Sequence, residues 1–260
     1  GIELSLNWRK EIIKDLHVDL RANLTYNKNK YVYYDEPNYE AVWKKKTGQP
    51  LSISWGYIAD GYFQNQEEID NGPDQTGLGS QLKPGDIKYR DVNGDGIIND
   101  DDKVMLSSFG SMPRIQYGLG LNLTYKKIDF GVFFNGSAQR KIMINNAMTD
   151  FGERNNNVMK CIADDHWSID NPNPEATFPR LGLKSTDIKN NTEASSHWLR
   201  NGNFIRFKTL EVGYSFPHCR VYFSGDNLAV WSPFKLWDPE LSWNTYPLQR
   251  TFNFGVQLNF

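Results

Sequence analysis

Seven stretches of this chain alternate apolar and polar residues with a period of two, and only an extended strand places such residues on opposite faces. The segment ending the chain shows it best. Phe252, Phe254, Val256, Leu258 and Phe260 form one face, and Thr251, Asn253, Gly255, Gln257 and Asn259 the other. Ile115, Tyr117, Leu119, Leu121, Leu123 and Tyr125 oppose Gln116, Gly118, Gly120, Asn122 and Thr124 in the same way. Ile2, Leu4, Leu6 and Trp8 alternate with Glu3, Ser5, Asn7 and Arg9, and Val18, Leu20, Ala22, Leu24 and Tyr26 with Asp19, Arg21, Asn23 and Thr25. Segments 128–135, 204–216 and 220–228 complete the set, the last being the least regular. Most approach the ~9–11 residues with which a tilted strand crosses a bilayer.

The connections between these strands also alternate. Those at 10–16, 126–127 and 217–219 are short, whereas 28–114, 138–203 and 229–249 are long, polar and rich in Asn, Gly and Pro. Compact water-soluble domains rarely need so much irregular chain. A transmembrane β-barrel does, because its periplasmic turns are short and its extracellular loops long. With the C-terminus on the periplasmic side, every long connection falls outside and every short one inside. The expected fold class is therefore all-β: the C-terminal portion of a large antiparallel transmembrane β-barrel. An odd number of strands leaves an edge that lipid cannot satisfy, so further strands must pair with these. Gly1 starts inside a strand-like pattern, without a charged and apolar leader, which predicts an internal or C-terminal piece of a longer protein. A soluble β-sandwich also alternates, but it typically joins its strands by turns every ~8–12 residues.

Composition agrees with one wet face per strand. The chain is 39% hydrophobic and 14% aromatic, yet its mean hydropathy is -0.62. Lys and Arg number 29 against 31 Asp and Glu, a net charge of -2, so nothing suggests an electrostatic grip on nucleic acid. The run of lysines at 44–46 is too short to alter that. No stretch approaches the ~18 apolar residues of a membrane-spanning helix. Cys161 and Cys219 form no metal or redox motif; on the barrel map they lie in a long loop and on a short turn, too far apart for a disulfide.

One long connection carries "DVNGDGIINDDD". Read as a calcium loop, Asp91, Asn93 and Asp95 take positions 1, 3 and 5, Gly96 the turn, Ile97 the carbonyl position, Asn99 position 9 and Asp102 position 12. A hard cation takes six to eight oxygens, and alternate side chains of a tightly curled loop supply them. Asp102 stands where a bidentate Glu is usual, which weakens the site. Asn-Gly and Asp-Gly pairs also favour turns without any metal. The filled positions favour a static, structural calcium ion, cross-linking a loop expected to lack a core of its own. A second such loop is absent, which argues against a paired sensor.

No hydrolase, metalloprotease, P-loop or dinucleotide motif is present, and His17, His166, His197 and His218 are scattered, so no enzyme is expected. Trp167, Trp198, Trp231, Trp237 and Trp243 fall in or near the long connections. Trp167, Trp231 and Trp237 are weak candidates for stacking on a substrate sugar; interface girdles and loop packing are the commoner roles of Trp in a barrel.

Several stretches together resemble one family: "GYIADGYFQNQEEID" at 56–70, "PGDIKYRDVNGDGIINDDD" at 84–102, "DDHWSIDNPNPEATFPRL" at 164–181, "WLRNGNFIRFKTLEVGYSFP" at 198–217, "RVYFSGDNLAVWS" at 220–232 and "YPLQRTFNFGVQLNF" at 246–260. They are similar to SusC/RagA-like TonB-dependent outer-membrane transporters. The terminal Phe260 also resembles the signal read by the barrel assembly machinery. The resemblance implies a plugged barrel of about 22 strands in the outer membrane of a Gram-negative bacterium. It further implies a SusD-like surface lipoprotein partner, energy from the TonB complex through an N-terminal region, and import of oligosaccharides or, in some members, peptides. The plug and that region are not in this sequence, so the chain alone is expected not to transport. The competing reading is a secreted, calcium-stabilised carbohydrate-binding β module.

Overall fold

The computed structural model describes residues 1–39, 41–79, 81–145, 157–242 and 245–258. Trp243, Asn259 and Phe260 lie outside the described residues. In chain order the strands are β1 (Ile2–Ile13), β2 (Leu16–Tyr26), β3 (Ser54–Gly56), β4 (Ala59–Tyr62), β5 (Ile87–Tyr89), β6 (Val104–Ser107) and β7 (Ile115–Tyr125). They continue with β8 (Ile128–Ala138), β9 (Lys141–Met143), β10 (Leu199–Asn201), β11 (Phe204–Ser215), β12 (Cys219–Trp231) and β13 (Thr251–Leu258). Two short helices, α1 (Gln66–Asp70) and α2 (Lys160–Asp164), accompany them. The chain divides into two compact units. One comprises Gly1–Asn29, Ser111–Arg140 and Asn201–Phe260, the other Lys30–Gly110 and Lys141–Arg200.

The first unit is a seven-stranded antiparallel sheet in the order β1-β2-β7-β8-β11-β12-β13. Its register lines residues of one kind across the whole width. Trp8, Leu20, Leu121, Val132, Leu210, Gly225 and Phe252 are successive cross-strand partners, and so are Arg9, Asp19, Asn122, Gly131, Glu211, Ser224 and Asn253. One face is therefore apolar and the other polar, as the alternation predicts. The apolar face is open: Ile2 is 59%, Leu4 58% and Phe254 76% exposed. An apolar surface of that extent ordinarily meets lipid or another protein.

Two of the three hairpins are tighter than the sequence suggests, and the turn at 126–127 is as expected. β1 and β2 run to within Lys14-Asp15 of each other, with Asp15 at φ 67, and Lys126 turns the β7–β8 hairpin at φ 55. Two-residue hairpins favour such positive φ because it matches the strand twist. Cys219 is not in the turn, contrary to the expected map. It begins β12, pairs with Leu258, and its carbonyl accepts from the Phe216 amide at 2.7 Å, which narrows the turn to Pro217-His218. Both cysteines are free.

The second unit overturns the expectation that the long connections lack a core. Tyr57, Phe63, Ile87, Tyr89 and Ile98 from the first connection are buried, together with Ile144, Ile162, Phe178, Ile188 and Trp198 from the second. At ~1.5–3 kcal/mol for each large apolar side chain removed from water, this core is a substantial source of loop order. Three two-stranded ladders, β3 with β6, β4 with β5 and β9 with β10, frame it.

Candidate sites on the loops and on the polar sheet face

The acidic loop is curled by its own backbone. Asp91 accepts the Gly94 amide at 2.6 Å on Oδ1 and the Gly96 amide at 2.7 Å on Oδ2, and these bonds hold its carboxyl below the usual carboxylate range. Asp95 accepts the Ile97 amide at 2.8 Å and a bond from the Asn93 side chain at 2.9 Å. Gly94 and Gly96 adopt φ +78 and +82, where a side chain is strained. Asp102 is fully buried, with its two oxygens on the amides of Val92 and Asn99 at 2.8 and 2.9 Å. Ile98 is buried and Ile97 half exposed. Asn93 Oδ1 accepts the Asp95 amide at 3.0 Å and Asn99 Oδ1 the Asp101 amide at 2.7 Å, so Asp91, Asn93, Asp95 and Asn99 each bond a backbone amide of one tight turn, and Asp102 fastens its two ends. Among the described residues, no group of three or more His, Cys, Asp or Glu side chains is arranged to hold a metal.

What joins the two long connections is a buried polar network that no sequence motif announces. Asp86, fully buried, pairs with Arg180 (Nε to Oδ1, 2.7 Å) and accepts from Asn191 Nδ2 at 2.8 Å. Asn191 Oδ1 accepts the Ile87 amide at 2.9 Å, and the Asn191 carbonyl accepts from Trp198 Nε1 at 2.8 Å. Gln75 bonds the Ile87 carbonyl and Asn190 Oδ1, each at 2.8 Å, while the Tyr89 hydroxyl donates to the Asn190 carbonyl at 2.7 Å. Burial raises the Asp86 carboxyl pKa in spite of the opposing pull of Arg180.

Two of the three candidate tryptophans take packing positions. Trp167 is 2% exposed, donates to Gln64 Oε1 at 3.2 Å and lies so close to Gly85 that a Cβ there would meet the ring at 2.2 Å. Its ring has no room for a sugar, which corrects its candidacy as a stacking platform. Trp231 is exposed but pairs with Ile205 on the apolar face, the face away from the polar groups. Trp237 packs edge-on against Phe234, ring centroids 4.7 Å apart.

The polar sheet face carries two charge clusters and a groove. Asp19 bonds Arg9 at 2.5 Å and Arg21 at 3.2 Å. Arg220 reaches across β11 to Asp129 and meets Glu211 at 2.5 Å. Gly213 makes that reach possible: a Cβ there would lie 2.6 Å from both Arg220 Nη2 and Asp129 Oδ1. Between the clusters lies a hollow of about 550 Å³ whose lining includes Asn122, Gly131, Glu211, Ser224 and Asp226. At the other end of β11, Arg206 is 2% exposed, held by Asp238 at 2.6 Å and Glu240 at 2.5 Å.

No protein-family model matches the chain. Three relatives do. TonB-dependent receptor P26 of Formosa agariphila is 30% identical over 82% of this chain and 23% of its own length. TonB-dependent receptor P3 of the same organism is 25% identical over the whole chain and 28% of its own length. TonB-dependent receptor SusC of Bacteroides thetaiotaomicron is 28% identical over the whole chain and 26% of its own length. The chain therefore spans about a quarter of the relatives it matches. Among solved structures, the RagAB peptide transporter superposes on 99% of this chain and 29% of its own, with a TM-score of 0.65 and 22% identity. The RagAB peptide importer in its closed-closed state gives 0.63 at 21% identity. These two likenesses speak to the fold.

Proposed function

This chain is a segment of a SusC/RagA-like TonB-dependent receptor, and on that premise we propose that the whole protein imports oligosaccharides across the outer membrane of a Gram-negative bacterium. In this reading a SusD-like lipoprotein covers the extracellular side, and the TonB complex supplies energy through a region outside this chain. In this reading the sheet is barrel wall, with its apolar face to lipid and its polar face to the lumen. The observation that carries it is the continuous, exposed apolar face of a meander whose outermost strands, β1 and β13, each have one neighbour among the described residues. A barrel covers such a face with lipid and closes such edges with further strands. A secreted carbohydrate-binding module would leave both in water.

The test is growth of a strain deleted for the full-length gene on single oligosaccharides and on peptides. Loss of oligosaccharide uptake, restored by the intact gene only when TonB is present, is the expected result. Uptake unaffected by the deletion, or loss confined to peptides, would reject the reading.

The acidic loop is assigned a structural calcium ion, held by Asp91, Asn93, Asp95, the Ile97 carbonyl and Asn99, with Asp102 closing the loop. Such an ion would fix the turn that Asp91 already curls. Calorimetry on the full-length protein should show heat on calcium addition that Asp95→Ala abolishes, together with a calcium-dependent rise in the unfolding temperature of the loop unit. Identical heats in both proteins would remove the ion from the account.

A further inference from the structure

A cavity of about 420 Å³ opens within the second unit, between the lysine turn at 44–46 and the far end of the acidic loop; it is lined by Tyr39, Lys44, Lys46, Trp55, Asp100 and Lys103. Lysine is seldom taken out of water, yet the Lys44 side chain is 24% and that of Lys103 35% exposed. The one carboxylate on the wall belongs to Asp100, whose side chain is 80% exposed and accepts from Lys103 Nζ at 2.7 Å. Lys44 pairs with Asp101, which does not line the cavity. Lys46 Nζ lies 4.9 Å from the centre of the Tyr34 ring, and among the described residues no carboxylate pairs with it. An ammonium group donates three hydrogen bonds, so a single carboxylate contact leaves donors to spare. Three lysines against two aspartates leave the site positive.

These groups stand on fixed backbone. Trp55 lies in β3, paired with Met105 of β6, and Lys103 leads directly into β6. Glu36 accepts the amides of Lys46 and Thr47 at 2.8 and 3.1 Å, and the Gln49 amide donates to the Lys46 carbonyl at 2.8 Å. Trp43 Nε1 donates to the Asp101 carbonyl at 3.0 Å, which ties the lysine turn to the acidic loop. The positive charges are thus gathered before any ligand arrives, and an anion relieves their mutual repulsion at little ordering cost.

Side-chain type selects the ligand. An arginine fork matches a planar carboxylate, whereas lysine acts as a point charge with rotatable donors and suits a tetrahedral oxyanion approached from several sides. No arginine lines this cavity. A bare phosphate or sulfate ion would make no use of Tyr39 and Trp55, and the volume falls within the ~300–1,000 Å³ of sites that hold an organic molecule. Aromatic side chains take rings by stacking and edge contacts, and a ring loses less conformational freedom on binding than an acyl chain.

We propose that this cavity binds the phosphate or sulfate monoester of a ring-shaped molecule, with the oxyanion on Lys44, Lys46 and Lys103 and the ring beside Tyr39 and Trp55. The assignment stands apart from the import reading. Calorimetry on the full-length protein tests it, with phenyl phosphate, phenyl sulfate, phenol, inorganic phosphate and dihexanoyl phosphatidic acid as probes. At least one ring ester should bind more tightly than inorganic phosphate, phenol should give no heat, and the ester's affinity should fall as salt rises. Lys46→Gln should weaken that binding at least tenfold, the loss expected of one hydrogen bond to a charged group. Because Lys46 has no ion pair to lose among the described residues, this variant should unfold at the parent's temperature. Lys184→Gln, the same change of charge at an exposed position outside the cavity, should leave binding unchanged. Tyr39→Ala should narrow the gap between ring ester and inorganic phosphate. Equal affinities in the parent and Lys46→Gln, an equal loss in Lys184→Gln, no ring ester bound, or phosphatidic acid bound in place of both ring esters would each overturn the proposal.

Discussion

At residue 197 a histidine is packed against Tyr62 and Trp198, with ring centroids 5.5 and 4.6 Å away, and near Arg200. Burial, followed by repulsion from Arg200, lowers its pKa from 6.5 to about 4. A folded-state pKa below the unfolded one means that the unfolded chain binds more protons between those values. Stability is then fully present above pH ~6.5 and falls as pH drops toward 4, by at most about 3 kcal/mol. Hydrogen exchange across 157–200 in the full-length protein should therefore accelerate between pH 6.5 and 4, and His197→Gln should flatten that dependence. A pH profile identical in the two proteins would rule the histidine out as its cause. The Asp86–Arg180 pair acts at the same scale with larger consequences. Removing one partner of a buried pair typically costs ~3–5 kcal/mol, because the other charge stays buried alone. Arg180→Met should release both long connections to limited proteolysis while leaving the sheet folded. Neither residue could be identified from sequence: both lie in stretches similar to the family, but 94 positions separate them, and only the fold of the second unit brings them together.

At the scale of elements, the strands were legible because each has two unlike faces, and a period of two is a property of the chain itself. The register was not. β11 illustrates the difference. Arg206 and Thr209 share the polar face although they are three positions apart, because the ladder shifts between Phe207 and Thr209 against both β8 and β12. An unbroken period of two would place Arg206 with Leu210 and Val212. A bulge at Lys208, whose Nζ bonds Asn227 at 2.8 Å, restores the pattern. The membrane-facing side makes its own prediction. In β13, Phe254 lies on the apolar face and its neighbour Asn253 on the polar one. Phe254→Arg should lower the yield of folded, heat-modifiable barrel, with a cost of up to ~2–4 kcal/mol near the bilayer midplane, whereas Asn253→Arg should be tolerated. Equal yields would mean that the apolar face does not meet lipid.

For the whole molecule, the open edges and uncovered apolar face predict that these 260 residues, expressed alone, associate through β1 and β13. Light scattering after refolding in detergent should find mixed oligomers, and a detergent-free monomer would contradict the barrel-wall reading. By itself the sequence determined the seven strands of the large sheet, its two faces, which connections are long, and the family, because alternation and motif order are local and survive without knowledge of contacts. The tertiary structure alone decided that the long connections share a core, that Trp167 is buried in it, and that Asp86 meets Arg180. Each of those facts depends on which distant segments touch, and hydrophobic burial and hydrogen bonding select such contacts from many that the same local pattern allows.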